Sequence, residues 1–147
     1  MSDGDTSPVD ARAAAAGAVL ALAVIVPVSV MVAILDHTAD DGSSTGAALG
    51  MAGLLLAYAA GGWRAGRLAP ETPLTNGALA GLGAFVLWVP IRIAIWAVRD
   101  DPSPLVGGRD PVFDVGSVFG AVVLAAAFGI LGALVAARRA RSSDRSP

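Results

Sequence analysis

The residues best suited to chemistry stand in the third apolar stretch, where Trp88, Arg92, Trp96 and Arg99 follow one another at helical spacing. Arginine presents a planar fork of donors that matches an oxyanion, and an indole can stack on its face. At 100° per residue, Gly77, Gly81, Ala84, Trp88, Arg92, Ile95 and Arg99 fall within about a 90° sector of one helix. The lower part of that face is small, and the upper part is bulky and basic. This predicts helices packed closely at one end and splayed at the other, with an outward crevice edged by Trp88, Arg92 and Arg99; Pro90 rotates the upper part. Arg92 lies about 9 Å inside the helix end at Val98. One reading is an arginine that snorkels to the interface, stacked on Trp88 or Trp96 and paired with Asp36, Asp100 or Asp114. The other is an anion or lipid-headgroup site in the crevice, because an ionisable side chain within an apolar helix is a functional candidate by default.

Elsewhere the residue types exclude more chemistry than they offer. The chain has no cysteine, which removes disulfides, thiolate metal sites and a Cys nucleophile. Its one histidine, His37, stands beside Asp36 and reads as a surface pair, since a metal site needs several ligands. Asp36 and Asp114 fall near helix ends, so no carboxylate sits mid-helix to carry a proton across. A Ser with a His, or two aspartates, within the helices would be needed for an intramembrane protease, and neither set exists. Gly107-Gly108 is followed by no Lys with Ser/Thr and is not a phosphate loop. No enzyme activity, metal or cofactor is therefore expected. All ten basic residues are arginine, and a net charge of −2 argues against nucleic acid as a partner.

The elements that must position these residues are membrane helices. At 147 residues, 55% hydrophobic and 15% charged, the chain is too apolar for an ordinary soluble domain. The expected fold is all-α, an integral membrane bundle of four transmembrane helices at about 13–35, 45–63, 73–98 and 111–137, forming two hairpins in one domain over 13–137. About 20 apolar residues suffice to cross roughly 30 Å of hydrocarbon. Residues 1–12 read as a disordered cytoplasmic tail and 138–147 as a basic one. A cleaved signal peptide is the weaker reading of the first run, which exceeds the usual apolar core and follows acidic residues. Pro27 kinks that helix mildly. Ser44 or Thr45, Thr72 before Pro73, and Asp110 before Pro111 are the cap signals.

Small residues mark where helices touch. Gly61, Gly62 and Gly66 close the second helix and Gly77 and Gly81 open the third, at spacings that let backbones approach. Gly46 and Gly50, then Gly53, Ala57, Gly61 and Ala65, continue the pattern along the second helix; a pore lined by exposed backbone is the alternative to packing. Arg12, Arg64, Arg67, Arg138, Arg139, Arg141 and Arg145 fall on one side, against Arg99 and Arg109 on the other. The positive-inside rule then places both termini and the central turn in the cytoplasm of a multi-pass cell-membrane protein. The segments 61–67 and 132–138 match in their small residues and Arg, and Gly17-Ala18 matches Gly77-Ala78, as in a weak parallel repeat that Ala/Gly-rich sequence also imitates.

Gly61, Gly62, Ala65, Gly66 and Arg67, followed by Gly77, Ala78 and Gly81, resemble the Gly-Gly-x-x-Ala-Gly-Arg segment and Gly-Ala-x-x-Gly start of a group of small four-helix bacterial and archaeal membrane proteins. The likeness covers about a quarter of the chain. It implies the four-helix fold and no activity, since the group has none assigned. The expected function is that of a structural or interaction protein packing through small-residue helix faces. Its partners would be membrane lipid and either a second copy or a larger membrane complex. The alternative is a small transporter, or an anion or lipid-headgroup binding protein, using the crevice around Arg92.

Overall fold

The computed structural model describes residues 9–38, 44–98 and 114–143. They form four helices: α1 (Ala11–Thr38), α2 (Ser44–Leu68), α3 (Pro73–Val98) and α4 (Val115–Ser143). The expected pairing of Asp36 with His37, the capping of α2 by Ser44 or Thr45, Arg99, Asp100 and the Asp110-Pro111 signal concern residues or side chains outside those described.

Local chemistry explains where the helices begin. Asp10 caps α1, its Oδ1 accepting from the amides of Arg12 (2.9 Å) and Ala13 (3.0 Å). The carbonyl of Thr72, ahead of Pro73, takes the first helical bond of α3, from the Asn76 amide (3.2 Å). Asp114 caps α4 by accepting from the Ser117 amide at 3.0 Å, while the Ser117 hydroxyl donates back to the Asp114 carbonyl at 2.9 Å. The described part of α4 thus opens at Val115, and the expected start at 111 lies outside the described residues.

α3 closes at Val98, where expected, whereas α2 and α4 both run well past their expected ends, for a shared reason. Apolar runs locate the part of a helix suited to hydrocarbon, whereas helical hydrogen bonding continues past it where cations suit the negative end of the dipole. α2 therefore runs on to Leu68, so Arg64 and Arg67 belong to its last two turns and not to a turn between helices. α4 likewise carries Arg138, Arg139 and Arg141 before ending at Ser143.

Three helices are long and apolar enough to cross a membrane, through Ala11–Val32, Pro73–Val98 and Val115–Ser142. Contacts give the neighbour order. α2 and α3 touch each other and each touches α1 and α4, whereas α1 and α4 do not meet among the described residues. Gly17 lies on Gly61, while Gly53 lies on Val28 and Gly50 on Val32, so α1 and α2 are antiparallel. Gly62 lies on Gly129 and Gly66 on Ala133, so α2 and α4 are parallel. Gly77 against Ala133 and Gly81 against Ala125 make α3 and α4 antiparallel, and Asp10 on Asn76, Gly17 beside Ala80 and Ala18 beside Gly83 make α1 and α3 parallel. The result is an up-down-up-down bundle with α2 and α3 along its short diagonal. A two-fold relating the hairpins would give α4 and α1 the contact that α2 and α3 make. None is present, so the likeness of the hairpins stops at a glycine-to-glycine contact in each, Gly17 on Gly61 and Gly77 on Gly129.

Burial is confined to one half. In α1 it ends at Ile25 and in α3 at Ala84; in α2 it begins at Tyr58 and Ala57 and in α4 at Ala125, among the described residues. Alanine and glycine fill most of this half, and only Ile25 and Asn76 among the larger side chains are fully enclosed. Backbones that close leave little room for side chains, which is why the core is built of small residues.

Candidate functional site

The tight half is held by backbone meeting backbone. A Cβ built on Gly61 would lie 2.6 Å from the Gly17 carbonyl oxygen, and one on Gly77 would lie 2.7 Å from that of Gly129. At Gly62 it would collide with the Gly129 carbonyl, at Gly81 with that of Ala125, and at Gly132 with that of Ala59. A Cβ built on Gly66 would lie 2.9 Å from the Ala133 Cα. Contacts this short force the neighbouring backbone to shift, so glycine is what lets the helices approach this closely. Gly61 against α1, Gly62 and Gly66 against α4, and Gly77 and Gly81 against α4 from α3 therefore all belong to one set of close helix contacts. Gly17, Gly129 and Gly132, which the spacing argument left without a role, complete it.

Asn76 ties the bundle together at the same end. It is fully enclosed, and its Oδ1 accepts from the Asp10 amide at 2.9 Å. Its Nδ2 donates to the Thr72 carbonyl at 3.0 Å and to the Thr72 hydroxyl at 2.9 Å. The cap of α1 is thereby joined to the first turn of α3 with both ends of the amide in use. A buried amide left unpaired would cost about 1–3 kcal/mol, so the full set of partners is what lets a polar side chain stand here. An Asn four residues after a Thr at a helix start is the sequence signal for this arrangement.

Among the described residues, none beyond Ile25, Ala57, Ala84 and Ala125 toward the far end is buried. Trp88 is half-buried and packs, with Phe85 and Phe128, on a cluster formed by Ala18, Ala21, Ile25, Ala57, Tyr58, Ala84 and Ala125. One turn further along α3, Arg92 is exposed; Trp96 is half-buried. Trp88, Arg92 and Trp96 share one side of α3 by their spacing, while Arg99 lies outside the described residues. The same sector that is sealed at Gly77, Gly81 and Ala84 is open at Arg92 and Ile95.

The basic end has its own organisation. The Arg67 guanidinium lies over the Trp63 ring, 4.8 Å from its centroid, one helical turn back along α2. The Trp63 backbone amide stands against Gly132 of α4, while Arg67 is exposed. An aromatic four residues before an arginine is a readable signal, though the stronger apolar context of Trp88 and Trp96 drew attention to α3. No protein-family model matches the chain, and neither a curated protein nor a solved structure shows significant similarity to it.

Proposed function

We propose that this chain is a four-span cell-membrane protein with both termini in the cytoplasm, and that its role is structural: a rigid helical body that associates with a second copy or a larger membrane assembly. The observation that carries the reading is the set of close glycine contacts, which spends the interior of one half on helix contact; the polar side chains buried there among the described residues are Asn76, whose amide is used in joining α1 to α3, and Tyr58. Chain direction supports the crossing of α2. If α1, α3 and α4 cross the membrane, the parallel α1 and α3 start on the same side, and α2 is the segment that must return between them. The arginines Arg12, Arg64, Arg67, Arg138, Arg139 and Arg141 all gather at that starting side, which supports the cytoplasmic assignment. The kinship with the small four-helix group rests on the segments 61–67 and 77–81 and belongs to the same proposal.

A photoreactive residue at position 120 of α4 tests the role, because nothing lies within 4 Å of a side chain built there. Crosslinks in native membranes to another copy or to a second protein are the expected outcome; crosslinks to lipid alone would contradict an interaction role for that face.

A second reading is supported by the loss of burial above Ala84: an outward crevice in which Arg92 meets an anionic solute or headgroup. It expects Arg92→Ala to abolish flux of a small anion through proteoliposomes while thermal stability stays unchanged. Flux equal to that of the parent protein would remove it.

A further inference from the structure

The prolines inside α1 and α3 stand at one level. Gly17 of α1 lies beside Ala80 of α3, the two helices run parallel, and ten residues beyond each of these come Pro27 and Pro90. The other two helices reach the same level with glycine. Gly62 of α2 meets Gly129 of α4, and nine residues before each stand Gly53 and Gly120; Gly53 lies on Val28, next to Pro27. Each helix thus places a proline or a glycine within about one turn of a common layer. Among the described residues that layer lies just past the last buried ones, Ile25, Ala57, Ala84 and Ala125.

Proline supplies no amide hydrogen, so Pro27 and Pro90 withhold the helical bond from the carbonyls of Ala23 and Val86, and each ring crowds the carbonyl four residues back. Helix bends of more than about 20° centre on such positions. Pro27, Ala23, Pro90 and Val86 are all exposed. Widening a helix on its exposed side tilts the segment beyond toward the interior of the bundle. The contacts past the layer yield more readily than those before it. There α1 meets α2 through side chains: a Cβ built on Gly53 would lie 2.6 Å from Val28 Cγ1, and one on Gly50 would lie 3.1 Å from Val32 Cγ2. In the sealed half the same test meets the Gly17 carbonyl. Gly120 has no atom within 4 Å of a built Cβ, so no packing contact offsets the backbone freedom it gives α4.

We propose that this layer is a hinge. The sealed half is a rigid body, and the outer arms of α1 and α3 swing inward about Pro27 and Pro90, closing over the open half. Arg92 and Trp96 lie beyond the pivot and travel with the α3 arm, whereas Phe85 and Trp88 stay with the body. The hinge rests on the helix contacts and not on the membrane-spanning reading.

Distances between spin labels on introduced cysteine pairs test it, since the chain has no cysteine of its own. The full chain in detergent, diluted with unlabelled protein, reports distances within one molecule. Ile34→Cys with Val123→Cys follows the α1 arm, Val98→Cys with Val123→Cys follows the α3 arm, and Val19→Cys with Leu131→Cys follows the sealed half; all five positions are exposed. A bend of about 20° carries Ile34 or Val98 through about 4 Å. Both arm distributions are expected to be about twice as wide as that of the sealed half. Pro27→Ala, which places a good helix former at the pivot, should narrow the Ile34 distribution and move its centre outward, with the Val19 pair unchanged. Pro90→Ala should narrow the Val98 distribution in the same way. Arm distributions as narrow as that of the sealed half would overturn the hinge, and so would wide ones that neither proline variant narrows. A proline variant that changed the Val19 pair as much as its arm would also overturn it, by showing that the proline loosens the bundle throughout.

Discussion

A glycine in this bundle has a cost and a use, and the surrounding atoms decide which dominates. In a helix interior it is worth about 0.5–1 kcal/mol less than alanine, because it loses more backbone freedom on folding. At Gly62 that deficit is accepted because a Cβ would collide with the Gly129 carbonyl; at Gly120 no atom lies within 4 Å of the same addition. Gly62→Ala is therefore expected to destabilise by about 1–3 kcal/mol or more, since a backbone neighbour cannot swing aside as a side chain would. Gly120→Ala should be neutral, or stabilising by up to about 1 kcal/mol. Thermal or denaturant unfolding in one detergent measures both, and equal effects at the two positions would contradict the assigned contacts. Spacing alone made Gly61, Gly62, Gly66, Gly77 and Gly81 legible, because small residues at four-residue steps have few uses in an apolar helix. It could not separate Gly120 from Gly132, which look alike in the chain and differ only in what another helix brings against them.

At the scale of elements, the middle of each helix was readable, as were both bounds of α3, Pro73 and Val98, whereas the arginine-bearing ends of α2 and α4 were not. An apolar run is a property of several turns, whereas an end is decided by one side chain such as Asp114, whose carboxylate takes the Ser117 amide. The joining of elements was less legible still. Asn76 at the start of α3 reads as an ordinary polar residue near an interface, and only its neighbours reveal that it receives the Asp10 amide of α1. Asn76→Ala removes that acceptor and is expected to cost about 1–3 kcal/mol. The loss should be local: hydrogen exchange at the Arg12 and Ala13 amides, capped by Asp10, should quicken more than exchange at the α2/α4 seam. A uniform increase across all four helices would argue that Asn76 supports the bundle as a whole and not the α1–α3 junction.

For the whole molecule, the division into a sealed half and an open half follows from the order of small and large residues along α3. Gly77, Gly81 and Ala84 admit neighbouring backbone, while Trp88, Arg92 and Trp96 hold it away. That gradient was visible on one helix. The neighbour order was not, since an α2/α3 diagonal and a missing α1/α4 contact depend on how four gradients fit together. The same fit makes the crossing of α2 the central claim. α2 is the helix not counted among the three candidate spans, and on the proposed reading that the other three cross a membrane, their directions carry it back through the same depth. The natural absence of cysteine makes the deciding measurement direct. Single substitutions Gly42→Cys and Glu71→Cys, on either side of α2, would be labelled with a membrane-impermeant maleimide in right-side-out and inverted vesicles. The four-span bundle predicts that position 71 reacts only from the cytoplasmic side and position 42 only from the opposite one; labelling of both from the same side would contradict it.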